Sequence, residues 1–307
     1  MPPALVDQIQ LNFDATGLAV LNGAIGLMMF GVALDMKLSD FVAILKAPRA
    51  PLIGLVAQFL LLPALTFGLT MVLDLQPSIA LGMILVAACP GGNLSNLMTY
   101  LSGGNTAVSV TMTAISTLAA IVMTPLNLSL WGSLNPDTVP ILHAVSLDPV
   151  DVFVTVFVIL GLPLALGLTV SKLKPSLVDR VRRPFKIFTV VVFIGVVAAA
   201  LGTNWSHFID VIGVVMLAVL AHNALALSVG YGSGRLAGLT RYDTRAVAIE
   251  VGIQNSALGL VLVFGFFDGL GGMAIIVAWW GVWHIVAGLT LSWFWSRRPV
   301  KALAQAA

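Results

Sequence analysis

Apolar residues along this 307-residue chain run in long stretches, and polar clusters punctuate them at regular intervals. Each membrane-spanning helix needs roughly 20 mostly apolar residues. Nine segments meet that length: about 17–36, 50–73, 79–102, 105–133, 151–171, 185–204, 209–238, 245–267 and 273–296. Between them lie turn and charge signals such as DLQPS (74–78), SGGN (102–105), NPDTVP (135–140) and KLKPSLVDRVRRP (172–184). Residues 37–49 are too short and too charged to span. They read as an interfacial helix with Leu38, Phe41, Ile44 and Leu45 on its apolar side.

Composition agrees with that pattern. Hydrophobic residues make up 59% of the chain and charged residues 9%, with a mean hydropathy of +1.03. A soluble domain carries about 25% charged residues, so an all-α integral membrane protein is expected. Strands of a barrel would alternate in shorter runs. One cysteine, Cys89, excludes an internal disulfide and any multi-cysteine metal site. The N-terminus lacks a basic region, so no cleaved signal peptide is expected. No basic run with interleaved aromatics points to nucleic acid, and nothing in the pattern implies an oligomer.

Charge fixes the expected orientation. With the N-terminus outside and the C-terminus inside, all 15 Lys and Arg residues fall on the inner side. They lie in the first inner linker (Lys37 to Arg49), the 172–186 linker, the link between the seventh and eighth spans (Arg235, Arg241, Arg245) and the tail. Outer linkers carry only acids and histidines.

Two spans are interrupted. The third contains CPGGNLSN (89–96) and the eighth EVGIQNS (250–256), each broken by glycine near its middle and followed by amides and hydroxyls. Proline removes a backbone donor, and Gly-Gly relaxes the helix. Unwound backbone at membrane depth is tolerated only when buried in protein or lining a wet cavity. The two spans lie five apart and therefore run in opposite directions. That arrangement is the sequence signature of a secondary transporter's binding site.

Glu250, in the second break, is the only glutamate of the chain. An intramembrane carboxylate costs about 2.5–3.5 kcal/mol on insertion scales, and no basic residue lies mid-span to pair with it. A proton or a bound metal cation would compensate it. Hard cations take several oxygen ligands. Ser109, Thr113 and Thr117 follow an i, i+4, i+8 spacing that puts three hydroxyls on one helix face. Ser95 and Asn96 stand at the first break, and Gln58 is isolated in LIGLVAQFLLLPAL. Asn93 and Asn255 precede the resumed half-helices, whose free N–H groups and positive dipole ends can seat an anion or be capped by those side chains. Ser256 follows directly. His222, Asn223 and His284 read as packing residues, as do Met28, Met29, Met36 and Trp279–Trp280–Trp283, and Gly230, Gly234 and Gly238 form a small-residue packing face.

These residues resemble the bile acid:sodium symporter family. The likeness runs through MFGVALDMKLSDF, VAQFLLLPAL, CPGGNLSNLMTYLSGGNTAVSVTMTAISTLAAIVMTP, AHNALAL and IEVGIQNSALGL, nearly the whole chain. It implies two inverted repeats, the first lacking its first helix, in which both interrupted helices cross. The panel would comprise 17–46 and 151–204, and the core 50–133 and 209–296. It also implies one sodium site at Ser95, Asn96, Ser109, Thr113 and Glu250. A second would use Gln58, Glu250, Gln254 and the carbonyls of Val251 and Ile253. An anion would dock at Asn93, Asn255, Ser256 and His284. Some members carry threonine in place of Asn93 and asparagine in place of Ile285. The implied activity is sodium-coupled import of an organic anion, a small carboxylate such as pantoate or a bile-acid-like anion, by a multi-pass plasma-membrane protein. A proton-driven or uncoupled exporter of anions or metalloids is the competing reading. An enzyme is not expected, since neither HExxH nor GxSxG occurs.

Overall fold

The computed structural model describes residues 23, 26–27, 30–31, 33–34, 36–144, 149–202 and 205–298. Met28, Met29 and most of the first expected span lie outside the described residues. Every named element is helical. We number them α1 (Leu38–Lys46), α2 (Arg49–Leu73), α3 (Pro77–Ala88), α4 (Leu94–Leu101), α5 (Thr106–Leu134) and α6 (Val139–Ala144). Next comes α7, a continuous run through Pro149–Val156, Phe157–Gly161 and Leu162–Leu173. Then follow α8 (Pro175–Gly202), α9 (Trp205–Leu236), α10 (Arg241–Gly252), α11 (Ser256–Phe266) and α12 (Gly271–Ser296). Among the described residues four are long and apolar enough to cross a membrane: α2, α5, the Ile212–Leu236 part of α9, and α12. The chain is a multi-pass membrane protein.

Three boundaries differ from the sequence pattern, each for a local reason. Helix α8 begins at Pro175, so most of the charged stretch expected as a linker is helical. Proline is well placed at the first helical position, and the basic residues that follow are good helix formers. The NPDTVP linker is also partly ordered. The Thr138 hydroxyl donates to the carbonyls of Gly132 and Asn135, turning the chain into α6. The interfacial helix starts at Leu38, with the Asp40 carboxylate accepting the Lys37 amide at 2.7 Å. Phe41 packs on Ala33, Met36, Ala114 and Leu164, while Leu45 is 79% exposed.

The half-helices occupy the centre. Residues Ser78 to Ala88 of α3, Thr244 to Gly252 of α10 and Ser256 to Phe264 of α11 are all buried. A helix that is apolar all round belongs in the interior. Close approach needs small residues, and Gly230 of α9 supplies one: a Cβ there would stand 2.8 Å from both the Ala248 Cα and the Val247 carbonyl of α10. Gly234 faces Thr244 in the same seam. Gly238 ends the row with a φ of +67°, a turn conformation that glycine adopts freely.

Arg245, one of the arginines assigned to the inner side, is 7% exposed, donating through Nη1 to the Ser102 carbonyl at 2.6 Å and through Nη2 to the Arg298 carbonyl at 2.5 Å. Its guanidinium also lies 5.5 Å from the Trp295 ring centroid.

The α9–α10 seam gives a direct test. Gly230→Ala should destabilise the protein by about 1–3 kcal/mol through overpacking, read as a lower melting temperature in detergent. Gly232→Ala, where an added Cβ meets nothing within 4 Å, should leave it unchanged.

Candidate functional site

The two chain breaks meet. Helix α3 stops at Ala88 and resumes as α4 at Leu94; α10 stops at Gly252 and resumes as α11 at Ser256. Between them Gly91 and Gln254 form an antiparallel bridge. The Gly92 amide donates to the Ile253 carbonyl at 2.7 Å, and the Asn255 amide to the Pro90 carbonyl at 2.9 Å. Each unwound segment therefore satisfies part of the other's backbone.

Side chains satisfy the rest. The Ala88 carbonyl accepts from the Thr124 hydroxyl of α5 at 2.8 Å, and the Cys89 carbonyl from Gln58 Nε2 of α2 at 2.9 Å. At the other break, the Val251 carbonyl accepts from Gln254 Nε2 at 2.7 Å, and the Gly252 carbonyl from Asn223 Nδ2 of α9 at 2.8 Å. Carbonyls 88, 89 and 90 and carbonyls 251, 252 and 253 are thus all paired. Glycine is required where the crossing is tightest. A Cβ on Gly91 would run into the Glu250 carboxylate, and one on Gly92 would stand 3.0 Å from the Gln254 carbonyl. Gly252 makes room for the Leu227 side chain of α9.

Glu250 is 1% exposed and is held by hydroxyls rather than by a cationic side chain. Its Oε2 accepts from Ser95 Oγ of α4 at 2.5 Å and from Ser109 Oγ of α5 at 2.9 Å. Its Oε1 accepts from Thr113 Oγ1 at 2.6 Å. Asn96 Oδ1 stands 3.3 Å from the Thr113 hydroxyl, and Thr99 Oγ1 donates to Ser109 Oγ at 3.3 Å. All five residues expected around the first cation thus lie together. Thr117 does not join them, since its hydroxyl donates to the Thr113 carbonyl of its own helix at 2.7 Å.

A second group forms around Gln58 and Gln254. Gln58 lies in the wide π turn Ala57–Leu61, just before Pro63. Pro63 has no N–H for the Phe59 carbonyl one turn back, and Asn127 Nδ2 of α5 fills that role at 3.1 Å. Gln58 Nε2 also donates to Gln254 Oε1 at 2.8 Å. Gln58 Oε1 is buried with no hydrogen-bond partner. The hydrogen bonds of Glu250 fall within the first group, and those of Gln58 and Gln254 within the second.

The donor set decides what these groups can hold. Carboxylate, hydroxyl, amide and carbonyl oxygens suit a hard cation. Among the described residues no three His, Cys, Asp or Glu gather as a transition-metal site would need. An orphaned amide oxygen at the core of the protein costs about 1–3 kcal/mol, and a cation beside Gln58 Oε1 would remove that cost.

The expected anion residues are more dispersed. Asn93 and Asn255 are the N-caps of α4 and α11. The Asn255 side chain accepts from the Leu258 amide at 3.1 Å, whereas Asn93 makes no side-chain cap. The Ser256 hydroxyl is buried without a hydrogen-bond partner. His284 is buried in α12, its Nδ1 likewise without one, and its neighbour Ile285 packs on Met98, Ile249 and Ile253. His222 is a packing residue, its Nε2 2.8 Å from the Thr66 hydroxyl and its ring 4.5 Å from that of Trp280. Thr99, Thr124 and Asn127 went unremarked in the sequence, and their only signal was polarity inside an apolar segment.

A model of the Sodium Bile acid symporter family matches residues 23–210. The sodium-dependent transporter YocS of Bacillus subtilis is 33% identical over 280 residues, covering 91% of this chain and 84% of that protein. The probable sodium/metabolite cotransporter BASS1, chloroplastic, of Arabidopsis thaliana is 31% identical over 306 residues, or 99% and 71% of the two chains. The ileal sodium/bile acid cotransporter of Homo sapiens is 29% identical over 249 residues, or 80% and 68%.

Removing one carbonyl's partner at the crossing tests its weight. Thr124→Val keeps the side-chain shape but strands the Ala88 carbonyl, and should cost about 1–3 kcal/mol of stability. Thr290→Val, which removes only an exposed bond to the residue's own helix, should cost far less. Paired melting curves in detergent decide between them.

Proposed function

This chain belongs to the sodium bile acid symporter family, and from that premise we propose that it is a sodium-coupled symporter that carries an organic anion inward by alternating access. Sodium occupies two sites. The first comprises Ser95, Asn96, Ser109, Thr113 and Glu250, and the second Gln58, Glu250, Gln254 and the carbonyls of Val251 and Ile253. The substrate is a small carboxylate such as pantoate or a bile-acid-like anion. It docks at the starts of α4 and α11, against Asn93, Asn255, Ser256 and His284. The protein lies in the plasma membrane with nine spans, its N-terminus out and its C-terminus in. Residues 50–133 and 209–296 form a core of inverted repeats that rocks against a panel of 17–46 and 151–204.

One observation carries this reading: Glu250 is buried at the crossing among hydroxyl and amide oxygens, and among the described residues no cationic side chain bonds to it. A sodium ion there would neutralise the carboxylate and tie α4, α5 and α10 together. A second ion beside Gln58 Oε1 would tie α2 to both breaks. The half-helix N-termini would then be fixed at the separation that receives an anion, so ions and substrate bind with mutual reinforcement.

In proteoliposomes, Glu250→Gln and Gln58→Ala should each reduce sodium-dependent uptake to background while the protein still purifies as a folded monodisperse species. Wild-type uptake that survives replacement of sodium by choline would sink the proposal. Flux that follows pH instead would favour proton coupling at Glu250. The substrate is identified by thermal-shift measurements on a panel of anions: the cognate one raises the melting temperature more in sodium than in choline.

A further inference from the structure

A cavity of about 480 Å³ lies away from the crossing, between the start of α1, the end of α7 and the start of α8. None of its described lining residues comes from α2 to α5 or from α9 to α12, which sets it apart from the crossing. Three cations border it: Lys37 before α1, Lys172 in the last turn of α7, and Arg182 on α8. Among the described lining residues Asp179 is the one acid, so cations outnumber acids three to one there. Met36, Leu168, Pro175 and Val178 supply apolar surface beside those charges, and Thr169 and Ser171 supply hydroxyls.

Its height in the membrane follows from the helices that build it. The apolar run of α7 gives way to Lys172 and Lys174, and α8 starts with basic turns before becoming apolar beyond Lys186. The cavity therefore sits where hydrocarbon meets water, on the side that carries the Lys and Arg residues. A volume of this size suits a small ligand, and walls that join apolar surface to three cations call for a ligand with both an apolar and an anionic part. Basic pockets between helices at this level receive lipid head groups.

We propose that this cavity binds the head group of an anionic phospholipid. Its phosphate lies among Lys37, Lys172 and Arg182, and its glycerol and first methylenes lie on Leu168 and Val178. The site is independent of the transport reading, because neither sodium nor the transported anion is involved.

Native mass spectrometry of the full-length protein in neutral detergent tests it, with phosphatidylglycerol and phosphatidylcholine as competing probes. The wild type should retain phosphatidylglycerol preferentially. Lys37→Gln, Lys172→Gln and Arg182→Gln should each weaken that preference about fivefold. Asp179→Asn should strengthen it, a gain that cannot arise from misfolding. Arg297→Gln, which removes an exposed guanidinium 3.9 Å from the Trp293 ring centroid, should change nothing. Equal retention of the two lipids, indifference to the three cation variants, or displacement of the lipid by millimolar inorganic phosphate would each overturn the proposal.

Discussion

The constraint on which the rest of this structure depends is the pairing of six backbone carbonyls. A span that stops halfway exposes carbonyls where no water can reach them, and each unpaired group there costs several kcal/mol. Here two such failures cancel. Pro90 and Ile253 take amides from the opposite break, and the remaining four carbonyls take side-chain donors. Three of those donors belong to α2, α5 and α9, so these helices are bound to the crossing by hydrogen bonds as well as by packing. That accounts for polar residues in otherwise apolar helices, which an all-hydrophobic interior would not need.

The same crossing positions a carboxylate that the membrane disfavours. The cost of an intramembrane charge, about 2.5–3.5 kcal/mol on insertion scales, is comparable to what one or two hydrogen bonds to a charged group return, at about 1.5–3 kcal/mol each. Three hydroxyls around Glu250 therefore offset part of that cost without a lysine or arginine, and leave the rest to a proton or a cation. Because those hydroxyls come from both α4 and α5, the carboxylate also reports whether the two helices are correctly set against each other.

Much of this was legible in the sequence, and what escaped it has a common cause. Helix interruptions show as Gly and Pro inside apolar runs, and Ser109 and Thr113 share a face by helical spacing alone. The union of Glu250, Ser95, Ser109 and Thr113 was anticipated through family likeness, since a spacing rule cannot reach across 141 residues from Ser109 to Glu250. Thr124, Asn127 and Asn223 had roles that depend on which carbonyl each one meets, and that is settled only once the helices cross. The π turn at Gln58 was equally hidden, because its register shift leaves no mark beyond the following Pro63. The burial of Arg245 was hidden in the same way. Charge counts assign arginine to a side of the membrane but cannot tell whether it faces water or carbonyls.

That arginine has a mechanical consequence. The carbonyls of Ser102 and Arg298 stand at the C-terminal ends of α4 and α12, where both helix dipoles are negative. A single guanidinium, fixed to α10, clamps the two. Neither end can slide past the other without breaking a charged hydrogen bond and exposing the cation. The half-helix α4, the final helix α12 and α10, which carries Glu250, are thereby held together at one end by a single side chain.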